Sequence, residues 1–116
     1  MTPQQNQQIR PVTRPIVEEI TNGVFEPNIR AIYLFGSEAR GEARLTSDID
    51  IALISDAPLT YKERRAFSQQ FDEVDYPHIN IINTLTTSLD AESDLHVGYH
   101  IKREGLLLYE RKALVH

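Results

Sequence analysis

From Ser47 to Ile54 the chain reads Ser-Asp-Ile-Asp-Ile-Ala-Leu-Ile. The apolar positions mark a strand running into a core, yet two carboxylates, Asp48 and Asp50, stand in it one residue apart. Residues i and i+2 of a strand share a face. Asp48 and Asp50 therefore project together, while Ile49, Ile51 and Leu53 fill the other face. Carboxylates held side by side repel, and burying them unpaired is costly. A solvated strand end would explain an Asp pair, but not one that leads directly into apolar sequence. A hard divalent cation removes the conflict. Mg²⁺ prefers oxygen ligands, and commonly binds one or two carboxylates together with substrate phosphates.

The flanking sequence predicts a small α/β domain. Pro15 suits the first turn of a helix, with Ile16, Val17, Ile20 and Val24 as its apolar stripe and Glu18 and Glu19 outward. Asn22-Gly23 is the expected stop, and Pro27-Asn28 a turn. Ile-Arg-Ala-Ile-Tyr-Leu-Phe, ending at Phe35, reads as a strand. A short helix is expected from Ser37 to about Arg40, before the Asp strand, which ends at Asp56 to Pro58. Thr60 and Glu63 have capping-box spacing. The helix they open carries Phe67, Phe71 and Val74 on one face and stops before Pro77. His-Ile-Asn-Ile-Ile-Asn-Thr-Leu, from His78, is a third strand. A last helix, capped by Ser88 and stopped by Gly105, would carry Leu95, Tyr99 and Lys102 in one row. Leu-Leu-Leu-Tyr-Glu closes the pattern as a fourth strand. The expectation is a small mixed sheet packed with helices, in a single domain over 13–116 behind a flexible segment over 1–12.

A Gly-Ser pair precedes the Asp strand. Gly36 lets another group approach the backbone closely. Ser37, at the start of a helix, would offer free N–H groups and a hydroxyl, the usual setting for phosphate. Arg40 lies one turn on and could meet a phosphate oxygen. Together the parts suit a nucleoside triphosphate, with phosphates on the Gly-Ser turn and metal on the Asp pair. No Gly-Lys-Ser/Thr follows the glycine, so this is not a Walker A loop.

Composition narrows the remaining classes. The net charge is −5 over 116 residues, and no Lys/Arg run is present. Tight sequence-independent nucleic-acid binding is not expected. No apolar run approaches the roughly 18 residues of a membrane span. The N-terminus lacks the apolar core of a signal peptide. Cysteine is absent, which excludes disulfides and thiolate chemistry. A cytoplasmic setting is the expectation.

The stretch from Leu34 to Leu53 resembles the Gly-Ser, ten-residue gap, Asp-x-Asp signature of the DNA polymerase beta-like nucleotidyltransferases. Ala39-Arg40-Gly41 and the ending from Ser47 look like the minimal nucleotidyltransferases, or MNT proteins. The likeness runs from about Ile16 to Tyr109, including the closing pattern from Ile101. It implies a polymerase beta-like fold and an MNT antitoxin encoded beside a HEPN-domain ribonuclease toxin. It further implies Mg²⁺-dependent transfer of AMP from ATP to a tyrosine of that toxin. Asp48 and Asp50 would hold the metal, and Gly36, Ser37 and Arg40 the nucleotide. Homo-oligomers or mixed complexes with the toxin are expected. The superfamily's third carboxylate falls at Asn80 here. By alternation His78, Asn80 and Ile82 share a face, so Asn80 can reach the site. Its amide oxygen can ligate a cation, but it brings no charge and is no useful base. Asp75 is a possible substitute, better read as a polar residue at a helix end.

Two rival readings follow. One is an antitoxin that only binds and covers its toxin. The other is transfer to a small molecule such as an aminoglycoside, for which this chain offers little acceptor pocket. Weaker signals have plainer explanations. Glu92, His96 and His100, spaced by four, read as a polar helix face rather than a metal site. Lys62, Arg64 and Arg65 read as a solvated face beside Glu63 rather than a steering patch. Phe67, Phe71 and Tyr99 read as core.

Overall fold

The computed structural model describes residues 8–112. In chain order the elements are α1 (Arg14–Thr21), β1 (Ala31–Phe35), β2 (Ile49–Ser55), α2 (Tyr61–Ser68), β3 (Ile79–Leu85), α3 (Val97–Glu104) and β4 (Leu106–Glu110). Short 3-10 turns follow α2 (Gln69–Phe71) and β3 (Thr86–Asp90). The strands form one mixed sheet in the order β3-β2-β1-β4. β1 pairs antiparallel with β2 and β4, while β2 and β3 run parallel. A parallel pair needs a crossover, and α2 provides it.

Strand alternation sorts the side chains onto two faces. Ile49, Ile51 and Leu53 of β2 join Ile32 and Leu34 of β1 and Leu106 and Leu108 of β4 in the larger core. α1 and α2 cover this face through Ile16, Val17, Ile20 and Phe67. The second face gathers Ala31, Ala52, Ile54 and Ile101, with Tyr33, Phe35 and Ile82 at its margin, beneath α3. Both faces of β2 are buried from Ile51 onward, which accounts for its unbroken apolar run.

α1 begins with Pro15 in its first turn and is capped at Asn22, so Val24 lies beyond it, 96% exposed rather than on its apolar stripe. The α2 capping box forms as expected: Thr60 accepts from the Glu63 N–H, and Glu63 accepts from the Thr60 N–H. Phe67 and Phe71 pack with ring centroids 5.7 Å apart, and Phe25 meets Phe67 at 5.5 Å. Tyr99 instead sits half-buried with the Arg103 guanidinium 3.6 Å from its ring centroid. Arg65 of the expected solvated cluster is exposed and bonds Asp72 through both terminal nitrogens.

Two expected helices differ. Residues from Gly36 to Gly41 form a single hydrogen-bonded turn, not a helix. The last helix starts at Val97, not after Ser88, which lies in the 3-10 turn. Gly98 lets the two meet: a Cβ there would stand 2.0 Å from the Ser88 carbonyl oxygen, so only glycine lets α3 close onto the turn. Glu92 consequently lies ahead of α3, and His96 caps it by accepting from the Gly98 N–H at 3.3 Å. The Glu92, His96 and His100 row does not form. Among the described residues no group of three or more His, Asp or Glu side chains could hold a metal.

The packed chain reaches back to Ile9, which is 2% exposed and lies inside the segment expected to be flexible. Residues 1–7 of that segment lie outside the described residues. No helix among those described is long and apolar enough to cross a membrane.

Candidate active site

The sheet register brings the expected residues together. Asp50 pairs with Phe35 on one side and Asn80 on the other, so the Gly-Ser turn emerges beside the Asp pair. Asp48 is exposed just before β2, and Asp50 is half-buried at its start. The Asn80 Nδ2 donates to Asp48 Oδ2 at 3.0 Å and to Asp50 Oδ1 at 3.1 Å. One amide thus spans both carboxylates.

The turn after β1 has a defined geometry. Gly36 has φ +74° and Gly41 φ +72°. The Arg40 N–H donates to the Gly36 carbonyl, that of Gly41 to Glu38, and that of Glu42 to Ser37. The last two bonds, with Gly41 left-handed, are a Schellman closure of one helical turn. The chain therefore keeps the free N–H groups of a helix start without building the helix. A Cβ on Gly36 would lie 2.4 Å from Asp50 Oδ2. Glycine is needed there for φ and for the carboxylate.

Arg40 is exposed, and its guanidinium is held by Glu42 at 3.1 Å and Glu104 of α3 at 3.6 Å. It borders the turn while bound to carboxylates. Asp75 is exposed just ahead of the Tyr76-Pro77 bend that leads into β3. The second asparagine of that strand, Asn83, is structural: it donates to the Leu53 carbonyl at 3.0 Å and the Ser55 hydroxyl at 2.9 Å, and accepts from the Leu59 N–H at 2.8 Å. It pins the link from β2 to α2.

The donor set fits a hard divalent cation. Two carboxylates and a carboxamide converge, and the partly positive NH₂ edge of Asn80 already lies between the carboxylates. Turning the amide would present its oxygen in the same place. A groove of about 790 Å³ lies on the opposite face between α1 and α2, lined by Glu18, Glu19, Phe25 and Phe67 among others. It is remote from the Asp pair, and the convergent polar chemistry lies at the pair.

The sequence pattern did not indicate Glu38. It follows Ser37 in a polar stretch and reads as a surface residue, yet it is 1% exposed and ion-paired with Arg10. No local periodicity signals that partner.

Comparison with known proteins agrees with this fold. The family described as "Polymerase beta, Nucleotidyltransferase" matches residues 18–114. A Haemophilus influenzae protein named "Probable protein adenylyltransferase MntA" is 32% identical over 74 residues, 63% of this chain and 65% of that protein. The match thus spans just under two thirds of the relative's length. A crystal structure of a toxin–antitoxin with AMP-PNP superposes with a TM-score of 0.55 at 22% identity, covering 85% of this chain and 73% of that one. A variant of the MntA–HpeT toxin–antitoxin superposes with a TM-score of 0.53 at 19% identity, with the same coverages of 85% and 73%. At these identities the two structures support the fold.

Proposed function

Because this chain belongs to the polymerase beta nucleotidyltransferase family, we propose that it is an MNT antitoxin that transfers AMP from ATP to a tyrosine of a HEPN ribonuclease toxin. The observation that carries this reading is the convergence of Asp48, Asp50 and Asn80 beside the Gly36-Ser37 turn. The adenylyltransferase name of the relative and the toxin–antitoxin nature of the structural neighbours support it.

Asp48 and Asp50 would hold Mg²⁺, with the Asn80 amide oxygen as a neutral third donor. When bound, the ion polarises the phosphates and offsets the charge that builds on them. The rest falls to the chain. The free N–H groups and hydroxyl at Ser37 seat the phosphates. Arg40 turns from Glu104 to a phosphate oxygen. The acceptor hydroxyl attacks the α-phosphorus, a new P–O bond forms, and the bond to the bridging oxygen breaks, releasing pyrophosphate. Asn80 cannot take the hydroxyl proton, so the proton passes to an aspartate or to water. A positioned base contributes ~10²–10⁴-fold, and without one transfer is slow. Positioning and electrostatics supply most of the catalysis.

A second reading has its own observation. The Asn80 amide donates to both carboxylates yet brings them neither a charge nor a base, which suits an antitoxin that acts by binding alone. Co-expression with the neighbouring HEPN protein separates the two. A gain of one or more AMP units in the partner's intact mass, absent with Asp48→Asn and Asp50→Asn together, supports transfer. An unmodified partner in a stable complex favours binding alone.

A further inference from the structure

We propose that Arg10, Thr13 and Glu38 form a buried clamp that positions both halves of the nucleotide site; the assignment of that site rests on the reading above. Glu38 directly follows Ser37, and its Oε1 accepts from Arg10 Nε at 2.8 Å and from the Thr13 hydroxyl. Its Oε2 accepts from the Arg10 backbone N–H at 3.1 Å. Thr13 is 0% exposed. It occupies the N-cap of α1, yet its hydroxyl makes no cap hydrogen bond; it is turned to Glu38 instead. Ala39, next in sequence, is 6% exposed and packed in the larger core with Ile9 and Ile16.

The second arm of the clamp is the Arg10 Nη1, which donates to the Arg44 carbonyl at 2.7 Å. Arg44 lies in the loop that leads to Asp48, and its carbonyl also accepts from the Ser47 N–H at 3.0 Å. One guanidinium therefore holds the residue beside Ser37 and the loop in front of Asp48. The stretch between β1 and β2 has no helix or strand of its own, so such ties set its path. Apolar residues can replace a buried ion pair with little loss of stability. They cannot bind a backbone carbonyl while fixing a turn. The rigid fork of an arginine does both. Orientation is what this cluster supplies beyond stability, and phosphate and metal sites depend on placement within about 0.5 Å.

The test uses the full chain as the double variant Arg10→Met, Glu38→Leu, with Arg10→Lys beside it. The apolar pair is chosen to fold, and the lysine keeps a charge for Glu38 without the fork. Thermal melts establish folding. Calorimetric titration with ATP and Mg²⁺, below both melting temperatures, reads affinity. Hydrogen exchange reads the Arg40, Gly41 and Glu42 amides, which close the turn. The expected result is an affinity about tenfold or more weaker in both variants, with faster exchange at those three amides. A variant that melts earlier but binds ATP unchanged when folded, with unchanged exchange, overturns the clamp and leaves a structural role only. If the wild type binds no nucleotide, the nucleotide reading fails separately. The exchange of the three amides then decides the clamp: faster in the variants supports it, unchanged overturns it.

Discussion

Replacing Gly36 with alanine tests how closely backbone and chemistry are joined in this site. Gly41 is the control, because the two glycines have nearly the same φ, +74° and +72°. A left-handed L-residue costs about 1–2 kcal/mol, and each kcal/mol lowers Tm by roughly 3–6 °C in a domain of this size. Both Gly36→Ala and Gly41→Ala should show that loss. Only one of them meets the aspartate. The Cβ at Gly41 finds its nearest neighbour, Gln8 Cγ, at 3.5 Å, whereas the Cβ at Gly36 stands 2.4 Å from Asp50 Oδ2. Ordinary contact is about 3.5 Å, so the carboxylate must retreat by about 1 Å. That shift displaces the carboxylate whose other oxygen, Oδ1, accepts from Asn80. A displacement of about 1 Å can cost ~10²-fold in rate. Initial rates of AMP transfer to the partner, measured well below both melting temperatures, should fall about 100-fold for Gly36→Ala and less than about tenfold for Gly41→Ala. Equal losses in the two variants, or full activity in Gly36→Ala, would refute the claim that the glycine exists to admit Asp50.

Three further predictions follow from single contacts. Asn80→Asp restores a carboxylate beside Asp50; if transfer is limited by the missing base, the rate should rise, with ~10²–10⁴-fold as the ceiling, whereas an unchanged rate would place the limit elsewhere. Phe67 is 2% exposed within the aromatic cluster, so Phe67→Ala should cost about 3–5 kcal/mol in urea denaturation, and a loss under 1 kcal/mol would contradict that packing. The hydrogen bond from the Thr60 backbone N–H, with that from the Asn28 amide adding to it, holds the Glu63 carboxyl below its ordinary pKa. A depressed folded pKa contributes stability that is present above the unfolded value and is lost as pH falls through the folded one. The Tm gap between wild type and Glu63→Gln should therefore be present at neutral pH and close in acid, and a gap independent of pH would show that the charge is not involved.

Much of the chain was legible without coordinates, for a local reason. Strand and helix periods are written in neighbouring residues, so Ile49, Ile51 and Leu53 marked their face, and Thr60 with Glu63 marked a helix start. The same-face rule put Asp48 with Asp50, the family resemblance pointed to Asn80 as the third position, and the register of β2 on β3 puts Asn80 beside Asp50. Where the pattern misled, a contact distant in sequence had decided the outcome. Ser88 looked like a helix cap, but it lies in a 3-10 turn against which Gly98 packs, and α3 starts only at Val97. The Glu92, His96 and His100 row depended on a helix that does not extend that far.

The sequence by itself determined which donor groups this chain can offer. Two aspartates in an apolar strand and a Gly-Ser turn before them constrain what can be bound, because charge and oxygen donors follow directly from residue type. Only the tertiary structure decided how those groups are held. The Arg10–Glu38 contact joins residues 28 positions apart, and the Asn80–Asp48 contact joins residues 32 apart. No short-range period encodes such pairs. The first forms because folding buries Glu38, which must then find partners in three dimensions, and the second because the parallel register sets β3 beside β2.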